Sequence, residues 1–85
     1  MDQLFHLPIS PACRKVRLAL GEKGHEVELV EERDWEGRRE FLALNPAGEV
    51  PVLLEEGGRA ICGATPIVEF LEDSVPDTRS DAVLR

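Results

Sequence analysis

Hydrophobic and polar residues follow two different periods along this chain of 85 residues, and the two periods predict strands and helices. Short apolar or alternating runs predict four strands, at residues 3–7, 25–31, 50–54 and 59–62. Apolar residues at helical spacing predict three helices. These run from Ser10-Pro11 to about Gly24, from about Glu36 to Leu44 with Asp34 as the cap, and from Thr65-Pro66 to near Asp73.

The helix starts carry clear local signals. Ser10 followed by Pro11 is typical of a helix N-terminus, because serine caps free N–H groups and proline fits the first helical position. Thr65-Pro66 repeats this arrangement before the last helix. The segment Asn-Pro-Ala-Gly at residues 45–48 is predicted to be a loop on composition alone. One face of the first helix is apolar and is formed by Ala12, Cys13, Val16, Ala19 and Leu20.

The predicted order of elements is βαβαββα. A strand–helix–strand unit favours parallel pairing of the first two strands with a right-handed crossover. A hairpin and a final helix then complete an α/β fold, a four-stranded mixed sheet with helices on both faces. This is the element order of the thioredoxin-like fold. We assign residues 1–75 to this domain and residues 76–85 to a flexible tail or the start of a linker.

Composition and charge exclude several classes of function. The chain is 42% hydrophobic and 32% charged, as expected for a globular domain. Its net charge of −7 argues against nucleic-acid partners and against anionic membranes. No apolar run approaches the roughly 20 residues that span a bilayer, and the N-terminus lacks the pattern of a secretory signal. Two distant cysteines indicate neither a disulfide framework nor a zinc site, so we expect a cytoplasmic protein without a metal.

The residues themselves leave the chemistry open. Ser10 can be a helix cap or a catalytic hydroxyl, and the cap is the simpler interpretation. Cys13 can be a reactive first-turn thiol, but a buried structural role is favoured. His6 could act as a base only in contact with one of them, so it is interpreted as a core or edge residue. Solvated faces are the simplest interpretation of the acidic run Glu26, Glu28, Glu31 and Glu32 and of Arg38 and Arg39.

Three segments in register resemble the N-terminal domain of the glutathione S-transferases over residues 3–73. They are SPACRKVRLAL in the first helix, NPAGEVPVL before the third strand and ATPIVEFLED in the last helix. The resemblance implies that glutathione binds as a co-substrate and that Ser10 is the catalytic residue. The glutathione thiolate would lie at the N-terminus of the first helix, whose free N–H groups favour an anion, and would attack an electrophile.

The resemblance also implies the residues that bind the substrate. Val50-Pro51 matches the family's cis-proline, after which the main chain of Val50 pairs with the cysteinyl residue of glutathione. The family often has Glu-Ser before the last helix, where Gly63-Ala64 stand here, and commonly a basic residue where Glu49 stands. The complete set of implied substrate-binding residues is Pro11, Cys13, Glu49, Val50, Pro51, Gly63, Ala64 and Thr65.

These observations support competing functions. The first is a glutathione transferase domain, poorly active alone, because family members continue into a helical second domain that forms the electrophile pocket and much of the dimer interface. Its partners would be glutathione, an unidentified electrophile, and either a second copy or that C-terminal domain. The alternative is a non-catalytic thioredoxin-fold interaction module that lost glutathione binding, which Gly63-Ala64 and Glu49 favour. A monothiol redox protein using Cys13 is the third.

Overall fold

A computed structural model of the chain describes residues 1–74, which form one sheet and its flanking helices. The tail predicted at residues 76–85 lies outside the described residues. The elements are β1 (Gln3–His6), α1 (Pro11–Lys23), β2 (Glu28–Glu31), a 3-10 turn (Asp34–Glu36), α2 (Arg39–Leu44), β3 (Val52–Leu54), β4 (Ala60–Cys62) and α3 (Ala64–Ser74).

The four strands lie in the order β2-β1-β3-β4. Strand β1 pairs in parallel with β2 and antiparallel with β3, and β3 pairs antiparallel with β4. The predicted mixed sheet is therefore confirmed. The strands are shorter than predicted, and β2 starts three residues late. Its predicted first residue, His25, belongs to the end of α1 instead, where its N–H donates to the Leu20 carbonyl.

Alternation along β1 and β3 divides the core between the two faces of the sheet. Leu4 and Leu53 are cross-strand partners and are completely buried on the face that α1 and α3 cover. Phe5 and Val52, the next pair, pack on the opposite face against Phe41 of α2. The ring centroids of Phe5 and Phe41 are 5.9 Å apart. Helices therefore cover both faces, as predicted.

The predicted ends of α1 are confirmed. The Ser10 side chain accepts a hydrogen bond from the Cys13 N–H at 3.3 Å, and Pro11 is the first helical residue. At the other end, Gly24 adopts the left-handed conformation with φ of 66°, which glycine enters without steric cost.

The second helix differs from the prediction. The 3-10 turn at Asp34–Glu36 ends at Gly37, whose left-handed φ of 61° interrupts the helix before α2 begins at Arg39. The prediction that Asp34 caps this helix is wrong, because its carboxylate Oδ2 instead accepts a hydrogen bond from the Val50 N–H at 3.4 Å.

Two residues interpreted as solvated are in fact paired at the end of β2. Glu32 is only 2% exposed, and its carboxylate accepts hydrogen bonds from Arg38 Nε at 3.0 Å and Arg38 Nη2 at 2.7 Å. The Glu32 N–H also donates to the His6 carbonyl at 2.9 Å. The solvated interpretation of Glu32 is therefore wrong, whereas Arg38 is 43% exposed, as predicted, and pairs with Glu32 from the surface.

His6 is buried at the end of β1, with its ring Nδ1 3.0 Å from Arg17 Nη1. A guanidinium can only donate, so Nδ1 accepts and carries no proton. Burial and the positive charge of Arg17 together lower the pKa of His6 below its usual 6.5, although Glu31 acts in the opposite direction. The folded state therefore disfavours the protonated imidazole.

We expect the free energy of unfolding to fall as the pH is lowered below 6.5, because the unfolded chain then binds a proton that folded His6 resists. The change His6→Asn keeps a side-chain acceptor without a titrating ring and should flatten this part of the profile. Urea unfolding at a series of pH values measures it. Equal slopes in wild type and His6→Asn would contradict the assignment.

Candidate functional site

A cavity of about 280 Å³ opens where the first turn of α1, the loop before β3 and the β4–α3 connection meet. Five of the predicted substrate-binding residues line it together, although they come from two separate segments of the chain. The lining residues are Ala12, Asn45, Ala47, Glu49, Val50, Pro51, Cys62, Gly63 and Ala64.

Asn45 holds the loop that carries Val50. The residue is 7% exposed, and its Nδ2 donates to the Glu49 carbonyl at 2.7 Å while its Oδ1 accepts from the Ala47 N–H at 3.2 Å. Sequence reasoning missed this role. The signal was available, because asparagine commonly bonds the main chain two residues on and so builds a turn of its own.

The main chain at Val50 and Pro51 faces this cavity. The Val50–Pro51 peptide bond is cis. The Val50 N–H makes only the long 3.4 Å bond to Asp34, and the Val50 carbonyl accepts none of the hydrogen bonds within residues 1–74. The Pro51 carbonyl accepts from the Gly63 N–H at 2.9 Å, which fixes the loop against the start of α3. A ligand with its own peptide group can therefore pair with Val50.

Two helix N-termini border the same cavity. Pro11 has no N–H, and the Cys13 N–H is taken by Ser10, so Ala12 is left with a donor that finds no acceptor within residues 1–74. Ala64 lines the cavity from the first turn of α3. Free N–H groups and the positive ends of the two helix dipoles favour negatively charged groups at these points.

Ser10 does not line the cavity itself but lies two residues before Ala12, which does. Its oxygen accepts the bond from Cys13, which confirms the capping interpretation. A hydroxyl has one hydrogen and two lone pairs, so Ser10 can cap the helix and still donate to an anion.

Other predicted site residues lie elsewhere. Cys13 is completely buried and its Sγ accepts a hydrogen bond from the Leu7 N–H at 3.4 Å, so the expected contact with substrate is not supported. Pro11 lines a different groove of about 530 Å³ between α1 and α3. Thr65 is exposed, one residue beyond the lining. His6 directs Nδ1 at Arg17, which opposes a role as a base for Ser10.

Cys62 packs against the cluster of Phe5, Phe41 and Val52 and also lines the cavity. Its Sγ donates to the Leu44 carbonyl at 3.6 Å, and burial raises the pKa of the thiol. Cys62 therefore presents a neutral thiol at neutral pH and is a poor nucleophile. The three residues of β4 are all partly buried, so the strand lacks the alternation of buried and exposed positions that would assign Cys62 to one face.

Neither a metal site nor a membrane-spanning helix is found within residues 1–74. Among residues 1–74, no group of three or more His, Cys, Asp or Glu residues could hold a metal ion. None of the helices in that part of the chain combines the length and hydropathy needed to cross a bilayer. Glu49 is the one charged residue among those that line the cavity.

Comparison with known proteins shows a match to one protein family and similarity to several of its relatives. Residues 4–79 match the family model described as the glutathione S-transferase N-terminal domain. Over 74 residues the chain is 43% identical to the FtsZ-localized protein A of Caulobacter vibrioides. The alignment covers 84% of this chain and 32% of that protein.

Solved structures agree with the family match. A glutathione S-transferase from Sinorhizobium meliloti is 51% identical, with a TM-score of 0.88, and the alignment covers 95% of this chain and 35% of that one. One from Methylobacterium radiotolerans, in complex with glutathione sulfonate, is 38% identical, with a TM-score of 0.83 and coverage of 91% and 36%. The chain thus spans about a third of the length of these relatives.

Proposed function

The chain belongs to the glutathione S-transferase family as an N-terminal domain, and we propose that it binds glutathione and presents the thiolate for attack on an electrophile. The observation that carries this proposal is the cavity bordered by the free Ala12 N–H on one side and the Val50 main chain on the other. Ser10, Val50, Pro51, Gly63, Ala64 and Thr65 would form the glutathione site.

The cysteinyl residue and the γ-glutamyl end of the tripeptide each have a counterpart around the cavity. The cysteinyl peptide group pairs with the Val50 main chain, which brings its sulfur towards Ala12 and Ser10 at the start of α1. The γ-glutamyl carboxylate lies at the start of α3, where the N–H groups of Ala64 and Thr65 precede the first intrahelical bonds. The complex of the Methylobacterium radiotolerans relative with glutathione sulfonate supports a ligand of this class.

The absence of side-chain donors at Gly63 and Ala64 weakens this binding. A hydrogen bond to a charged group contributes about 1.5–3 kcal/mol, so the loss of two side-chain contacts lowers affinity more than tenfold. Main-chain donors and the hydroxyl of Thr65 remain, and we expect a dissociation constant in the millimolar range. The electrophile pocket would come from residues outside this chain, so the domain alone should conjugate poorly.

The hydroxyl of Ser10 should lower the pKa of the bound glutathione thiol, because it donates a hydrogen bond to the thiolate. We expect Ser10→Asp, which caps the helix as well as serine but cannot donate when ionised, to raise that pKa by about one to two. Ultraviolet absorbance of the thiolate, titrated against pH with the chain in excess so that most of the glutathione is bound, measures it.

Ser10→Thr is the matched control, since threonine retains both the cap and the hydroxyl, and it should keep the wild-type pKa. Unfolding by urea checks that neither variant disturbs the fold. A thiol whose pKa equals that of free glutathione in the wild-type complex would contradict the role of Ser10 even if glutathione binds.

A second candidate is a protein-interaction module without catalysis. Two observations favour it: the cavity lacks side-chain donors at Gly63 and Ala64, and the chain is 43% identical to a protein named for its localization with FtsZ. Amide shifts at Ala12, Val50 and Ala64 during a glutathione titration separate the two candidates. Movement of all three supports the transferase, and no movement at millimolar glutathione supports the interaction module.

A further inference from the structure

The two sides of the cavity differ in the charge that they favour. Its helix-start side, at Ala12 and Ala64, offers free N–H groups that favour anions. Glu49 lies on the other side of the cavity and is exposed. Its main-chain carbonyl accepts a hydrogen bond from Asn45 Nδ2 at 2.7 Å, which holds the residue in place. No lysine or arginine is among the described residues that line the cavity.

Asp34 adds a second carboxylate beside the same segment. Its Oδ2 lies 3.4 Å from the Val50 nitrogen, one residue after Glu49. Two arginines beside the neighbouring 3-10 turn are paired with other acids, and Arg39, the first residue of α2, does not line the cavity. Arg38 pairs with Glu32 and Glu40, and Arg33 lies 3.8 Å from Glu36. The negative charge near Val50 is therefore not neutralised by them.

The position of Glu49 relative to Val50 determines which part of a ligand it meets. If the cysteinyl residue pairs with Val50 and the γ-glutamyl end extends to Gly63 and Ala64, the remaining residue must extend the other way, towards Glu49. In glutathione that residue is glycine, which ends in a carboxylate. A ligand carboxylate brought towards Glu49 is repelled by it, and no lysine or arginine among the described lining residues compensates.

We propose that Glu49 makes this site selective for thiol peptides whose C-terminal carboxyl group is neutral or replaced by a cation, such as an ester, an amide or an amine conjugate of glutathione. This inference rests on the proposed function. Glu49 is a specificity-determining residue, and the anion-favouring helix starts still hold the thiolate and the γ-glutamyl carboxylate.

The test compares glutathione with its glycyl monoethyl ester, using amide shifts of Ala12, Val50 and Ala64 in the 85-residue chain at low ionic strength. We expect the ester to bind about tenfold more tightly to the wild type. Glu49→Gln should bring the two affinities within about twofold by strengthening glutathione, and Glu49→Lys should reverse the preference. Added salt should reduce the wild-type preference, because it screens the repulsion.

Glu26→Gln is the matched control, since it removes one negative charge from an exposed residue that does not line the cavity, and it should keep the tenfold preference. Equal binding of both ligands to the wild type would overturn the selectivity while leaving glutathione binding intact. A preference for the ester that persists in Glu49→Gln would show that Glu49 is not its source. If neither ligand moves any of the three amides at millimolar concentration, the glutathione site itself is refuted together with the inference.

Discussion

Phe41→Ala should cause the largest loss of stability that we expect from a single change, about 3–5 kcal/mol in the free energy of unfolding. Phe41 is completely buried and packs with Phe5 and Val52, with ring centroids of the two phenylalanines 5.9 Å apart. Truncating a buried phenylalanine costs about 3–5 kcal/mol, whereas a domain of this size is stable by roughly 4–13 kcal/mol. Circular dichroism during thermal and urea unfolding measures the loss.

The neighbouring Leu42→Ala is the matched control for this change. Leu42 lies on the same helix but is 37% exposed, so its truncation should cost about 1 kcal/mol. The position of Phe41 also affects the candidate site, because its carbonyl accepts the Asn45 N–H at 2.9 Å. Similar losses in both variants would contradict the assignment of Phe41 to the core.

Arg38→Ala should lower the free energy of unfolding by less than Phe41→Ala does, and this is the second largest effect that we expect. It leaves the carboxylate of Glu32, which is 2% exposed, without its guanidinium partner. Loss of one partner from a buried ion pair commonly costs about 3–5 kcal/mol; here Arg38 is 43% exposed, so water can reach the site and lower that cost. Urea unfolding measures the change.

The adjacent Arg39→Ala provides the comparison, because Arg39 is exposed and its loss should change stability by less than about 0.5 kcal/mol. The double change Arg38→Ala with Glu32→Gln should recover part of the loss, since a neutral amide is less costly to bury than an unpaired carboxylate. An equal loss in the single and double variants would show that the charge of Glu32 is not the cause.

Local signals predicted the parts of this structure that depend on neighbours in sequence. Ser10, Pro11 and Gly24 bound α1 as expected, because capping needs contacts only within a few residues. The alternation that buries Leu4 and Phe5 on opposite faces predicted the layers of the sheet. The resemblance to a family placed Glu49, Val50, Pro51, Gly63 and Ala64 around one cavity.

Contacts that depend on how the chain folds back on itself were not predictable in the same way. Asp34 has the composition of a helix cap, but its carboxylate contacts Val50, sixteen positions further on. Glu32 continues an alternating acidic pattern and yet is buried against Arg38. In each case a residue whose type suits a solvated or capping position forms a hydrogen bond that depends on the tertiary structure. A local sequence pattern carries no information about such a contact.

The outer edge of the sheet at β2 limits how copies of this domain can associate. Strand β2 lies at one end of the order β2-β1-β3-β4, and its exposed residues include Glu28 and Glu31. If two copies joined their sheets through this edge, like charges would lie against each other along the new strand pair. Dimers that join two sheets into one through β2 are therefore disfavoured, and β2 remains the outermost strand of its sheet.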